Sequence, residues 1–184
     1  MRVAIDYTTP QSPGWWLARL LKDLQGRQER LELLDSYYRG DPPLPFVPNQ
    51  HRSAFAKVLR MSRSNFAQLV VDAVNDRMQV VGFHAGEGES ATDSQAWDIW
   101  QGNDLDADST LITRASLTMG DSYAIVGPPR DDQPGIPVIT PEDPRQVITV
   151  QDPIRRRRSV AGLKSFCDEI TCLDTAYLYL PGVV

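Results

Sequence analysis

NFAQLVVDAVNDRMQVVGF, Asn65 to Phe83, is the stretch on which the reading of this chain turns. Phe66, Leu69, Val70, Ala73 and Val74 recur at the i, i+3, i+4, i+7, i+8 spacing of a helix with one buried face. Ser64 or Asn65 can start that helix, because a short polar side chain accepts bonds from first-turn amides that have no helical partner. At Arg77 the period changes. Met78, Val80 and Val81 lead into Gly82 and Phe83, an apolar run suited to a strand. A helix passing almost without a loop into a strand makes this the expected hinge of the fold.

Outward to the N-terminus the chain reads as helical. Ser12-Pro13 is a helix start, a capping hydroxyl followed by a residue that needs no amide partner. Leu17, Leu20, Leu21 and Leu24 form an apolar stripe that resumes at Leu31, Leu34 and Tyr38. The helix either runs unbroken to Arg39 or bends near Gly26. Gly40 is placed to end it, and Pro42, Pro43, Pro45 and Pro48 forbid continuation. Trp15 and Trp16 at its start read as core anchors or as an exposed docking patch. A proline-stiffened linker, Asp41 to Asn49, and a short helix, His51 to Arg60, complete the approach to the hinge.

Outward to the C-terminus the elements are mixed. A loop rich in glycine and acid follows His84, and a short helix over Ala91 to Gln101 carries Trp97 and Trp100 as core knobs. In DLDADST, Asp104, Asp106 and Asp108 imitate the opening of a calcium loop. The imitation fails at Ser109, where a glycine is needed, and at Ala115, where a glutamate is needed. Carboxylates at a helix start, favoured by its dipole, account for them better. That helix carries Leu111, Ile112, Ala115 and Met119 and stops at Gly120. From Ser122 the chain reads as strands: SYAIV, IPVIT, RQVITV, then SVAGLKSF and TCLDTAYLYL as a hairpin. The order predicts an α+β fold, with N-terminal helices packed on a mainly antiparallel sheet. It divides as a helical segment over 1–60 and an α+β domain over 61–184.

Composition bounds the function. A chain of 184 residues with 41% hydrophobic and 23% charged residues is ordinary for a globular protein. No apolar run approaches the roughly 20 residues that span a bilayer, so no membrane is expected. MRVAIDYTTPQSP lacks the pattern of a secretion signal, which places the protein in the cytosol or in a particle assembled there. The net charge of −5 supplies no general affinity for nucleic acid. Cys167 and Cys172 flank a hairpin tip, where they oppose each other or, as suits a reducing compartment, remain free thiols.

Motifs for catalysis are missing. There is no phosphate-cradling glycine loop, no nucleophile elbow and no metal-spaced His/Cys cluster, so neither enzyme activity nor a cofactor is expected. The candidate interaction residues are Trp15 and Trp16, with the run Arg155, Arg156, Arg157 and Arg158 after Asp152-Pro153. Four arginines suit a phosphate contact or an acidic partner. They equally suit a solvated turn between strands.

Several stretches resemble the portal proteins of long-tailed bacteriophages. LELLDSYYRGDPPLPFVP (Leu31 to Pro48) and SNFAQLVVDAVNDRMQVVGF (Ser64 to Phe83) look like the N-terminal part of that family. AWDIWQGNDLDADS is similar to its tryptophan-bearing helix and N-x-L-D helix start, and GDSYAIV and PEDPRQVITVQDP to its next strands. The resemblance implies a subunit of a ring of about twelve copies at one capsid vertex. Double-stranded DNA is packaged and ejected through such a ring, in the virion after assembly in the host cytoplasm. Implied partners are further copies of the chain, the terminase motor, the capsid or scaffold, and head-completion proteins. Portal chains are longer, so the stretch present corresponds to the N-terminal portion of the wing domain, and stem, clip and channel loop would follow. An interaction module without channel function is the alternative.

Overall fold

The computed structural model describes residues 5–43, 55, 57, 58, 61, 64–84, 94–155 and 158–182. Helices α1 (Pro13–Tyr38), α2 (Phe66–Asn75), α3 (Ser94–Gly102) and α4 (Leu105–Met119) precede five strands. These are β1 (Tyr123–Gly127), β2 (Val138–Glu142), β3 (Val147–Gln151), β4 (Ser159–Asp168) and β5 (Leu173–Tyr179). Every ladder is antiparallel: β1 pairs with β2, and β3, β4 and β5 form a second sheet in that order. The fold is α+β, as expected. The expected helix at His51 to Arg60 lies largely outside the described residues.

Two compact units divide the chain. Residues 1–31 and 143–184 form one, and residues 32–142 the other.

The first unit is a helix laid on a sheet. Ser12 caps α1, its Oγ accepting the Trp15 N–H at 3.2 Å. The segment before it crosses so close to Gly14 that a Cβ there would stand 2.3 Å from the Asp6 carbonyl oxygen, so only glycine fits. Leu20 and Leu24 from α1 meet Ile148, Ala161 and Leu163 from the sheet, with Trp16, Leu17 and Leu21 around them. Leu20 and Leu163 are wholly buried, each stabilising the unit by about 1.5–3 kcal/mol. The sequence stripe therefore marks the core correctly. It also stays on one continuous helix, unbroken at Gly26.

The second unit begins with the end of that helix. Gly40 has φ +73°, and the Asp41 N–H bonds the Ser36 carbonyl at 2.8 Å while the Gly40 N–H bonds that of Tyr37 at 3.2 Å. This pair of bonds satisfies carbonyls that the helix leaves open, and only glycine takes the left-handed turn without strain. Packed together in this unit are α2 on α4, α3 on α4, and α4 on β2.

Here two expectations fail. The apolar face of α2 is not buried: Phe66 is 70% exposed, Leu69 63% and Val70 65%. The single buried residue of α2 is Asn75. The run after Arg77 is not a strand either. Asp76 and Arg77 turn, 78–83 has no regular structure, and His84 makes only an isolated bridge. The physical reason is pairing, since a β-type segment becomes a strand only against a neighbour, and β1 and β2 pair with each other.

Candidate functional site

The aromatic pair at the start of α1 serves packing first. Trp16 lies against the core of the first unit, and Trp15 meets it edge-on with ring centroids 4.9 Å apart. The Arg19 guanidinium stands 5.2 Å from the Trp15 ring and 5.8 Å from that of Trp16. Both rings are half-buried rather than presented as one free patch. The cation over them leaves a polar lid on an apolar anchor.

The arginine run sits in the turn between β3 and β4. Asp152 Oδ1 accepts the N–H groups of Ile154 at 2.8 Å and Arg155 at 3.1 Å, and the Asp152 N–H bonds the Arg158 carbonyl at 2.8 Å. Those donors, Arg155 first, hold the Asp152 carboxyl below its usual range. Arg155 and Arg158 are exposed on this closed turn, while Arg156 and Arg157 lie outside the described residues. Asp168 closes the β4–β5 turn in the same way, accepting from Ile170 N–H at 2.9 Å and the Thr171 hydroxyl at 2.8 Å. Cys167 and Cys172 beside that turn are free and exposed. Cys167 faces Asp174 across the ladder, so the two thiols do not oppose each other.

Three polar clusters went unmarked in the sequence reading. Asn103 is fully used: its Nδ2 donates to the carbonyls of Ile99 at 2.8 Å and Pro137 at 2.9 Å, and its Oδ1 accepts the Ile139 N–H at 2.8 Å. It thereby ties the α3–α4 junction to β2. Two residues on, Leu105 is buried, and Asp106 accepts from Trp100 Nε1 at 2.7 Å and Gln101 Nε2 at 2.9 Å. Asp104 caps nothing and adopts φ 52° instead. Of the aspartates of DLDADST, Asp106 ties α4 back to α3, and Asp106 and Asp108 lie in the first turn, where the helix dipole favours them.

In the second cluster, Asp143 and Arg145 clasp each other across the buried Pro144, with Nη2 and Oδ2 2.6 Å apart. Gln28 of α1 donates to the Arg145 carbonyl. Burial pushes the Asp143 carboxyl up, but the hydrogen bonds and charge of Arg145 outweigh it and hold it below its usual range.

The third cluster fastens α2. Asn65 caps it, accepting the Gln68 N–H at 3.1 Å, and donates to the Tyr38 carbonyl at 3.0 Å. The Tyr38 hydroxyl donates to Asp72 Oδ1 at 2.9 Å, and Arg114 Nε lies 4.0 Å from the same oxygen. Burial, then the Asp72 bond, raises the Tyr38 phenol above its usual value. Among the described residues no group of three His, Cys, Asp or Glu side chains is gathered for a metal. None of the described helices is long and apolar enough to cross a membrane.

The family model for phage portal proteins of the SPP1 Gp6-like type matches residues 17–181. The chain belongs to that portal family. Two similar proteins are the portal protein of Mycobacterium phage D29, 30% identical over 142 residues, and that of Mycobacterium phage L5, 29% identical over 141. Those matches cover 74% and 73% of this portal chain but 28% and 27% of the relatives. The portal chain thus spans little more than a quarter of their length.

What pattern reading missed in this portal chain is the polar joinery. Asn103 and Asp72 belong to no periodicity, Tyr38 enters the sequence pattern only as a position of the apolar stripe, and the long-range partners lie 34 to 36 residues away. The N-x-L-D signature was the one available signal for Asn103, and nothing in the sequence pointed to Tyr38 with Asp72.

Proposed function

We propose that this chain serves as the N-terminal, wing-side part of a portal subunit, with 61–184 as its wing-like portion. Copies form the ring at one capsid vertex through which double-stranded DNA enters and leaves. The observation that carries this is the match over 17–181 to the portal family, continuous through both units. The net charge of −5 fits a subunit past which DNA moves without strong adhesion. The chain catalyses nothing itself, binds no cofactor, and leaves the power stroke to the terminase motor. Its other partners are the capsid or scaffold and the head-completion proteins. The run Arg155, Arg156, Arg157 and Arg158, between β3 and β4 in sequence, offers a contact to an acidic partner, and Trp15 with Trp16 braces the start of α1.

The test is the solution mass and negative-stain image of the product of the whole reading frame that encodes this chain. Closed rings with a central channel are expected. A product that stays monomeric at every concentration tried would contradict ring function and leave an adaptor.

A further inference from the structure

The second unit is built inside out on one side. Helix α2 is fastened by polar groups (Asn65, Asp72 and the Tyr38 hydroxyl), while Phe66, Leu69, Val70, Ala73 and Val74 face outward. Met78, Val80 and Val81 follow in sequence and are exposed as well, Val81 94%. Seven large apolar side chains over 66–81 are thus from 43% to 94% exposed, more than the singly scattered hydrophobics of an ordinary surface. Among the described residues Leu105 is the sole buried large apolar side chain of this unit. Among the described residues its sheet has two strands, too few to be stable alone.

We propose that α2 and the segment 78–81 are one wall of a core that a further stretch of the same portal polypeptide completes. This rests on the portal reading. The occupant is polypeptide beyond the stretch shared with the relatives: an apolar helix face against α2 and a strand pairing with 78–81. Three observations favour it over an independent partner. Among the described residues no strand pairs with the β-type run 78–81, which therefore lacks a folding partner, not merely a ligand. Among the described residues the unit buries one large apolar side chain, Leu105, too little for a finished core. More than two thirds of each relative lies outside the matched stretch, so the family carries ample polypeptide for the role.

Thiol labelling tests it. L69C and V81C are made singly in this 184-residue chain with Cys167 and Cys172 changed to Ser, and at the aligned positions of the full-length D29 portal protein. A maleimide reagent should modify both thiols of the short chain nearly as fast as unfolded protein. In dilute, unassembled D29 portal the same positions should react roughly 100-fold more slowly. Equal reactivity there overturns the proposal, as does protection already present in the short chain. Protection that appears only in assembled D29 rings overturns it too, assigning the face to a second copy. Hydrogen exchange over residues 66–81 in the unsubstituted proteins gives the same comparison if a variant fails to fold. Failure in D29 leaves the portal assignment of this chain standing, because ring formation tests that separately.

Discussion

Single polar side chains hold the turns and junctions of this protein, and two of them make measurable claims. Asn103 uses both amide hydrogens and its oxygen between Ile99, Pro137 and Ile139. N103A removes all three bonds and strands partly buried backbone groups, so it should lower stability by about 2 kcal/mol in a urea titration. Asp143 has a depressed folded value, set against its burial by Arg145. Stability from a depressed carboxyl is present above its unfolded value, near 3.9, and is lost as pH falls through the folded value. D143N should therefore cost about 1 kcal/mol at neutral pH, discounted for the partly exposed pair. The gap between D143N and the parent chain should close as the solution is acidified through the carboxylate range, read from thermal melts at each pH.

At the scale of elements, burial separates two helices of similar apolar spacing. L20A opens a cavity in the packed core of the first unit and should cost about 3 kcal/mol. L69A removes a side chain already in water and should change stability by less than about 0.5 kcal/mol, so parallel denaturant melts distinguish them. Equal losses would mean that α2 is buried after all. The same contrast shows what the sequence could reveal. The stripe of α1, the Ser12 and Asn65 caps, the Gly40 and Gly120 stops and all five strands were legible, because each depends on local chemistry. Periodicity announces that a face is apolar but not what covers it, which is why α2 was misread as buried. Likewise Met78 to Phe83 has the composition of a strand, but composition cannot supply a neighbour to pair with. The arginine run was legible as a turn because Asp152-Pro153 precedes it. The Tyr38–Asp72–Arg114 cluster was not, since its members are joined only by the fold.

For the whole molecule, membership in the portal family rests on a match through nearly the full chain, and the two units share that match. In one unit α1 is sealed on the β3–β4–β5 sheet, and in the other the apolar face of α2 is exposed. If the chain is the ring subunit proposed, it occupies one vertex of each particle and not the shell at large. The most direct measurement is immunogold labelling of DNA-emptied, tailless heads from bacteria carrying this gene, with antibody raised against the 184-residue chain. The account predicts gold at one vertex of each labelled head, where the tail would join. Gold spread over the shell, or heads that contain none of the protein, would contradict it.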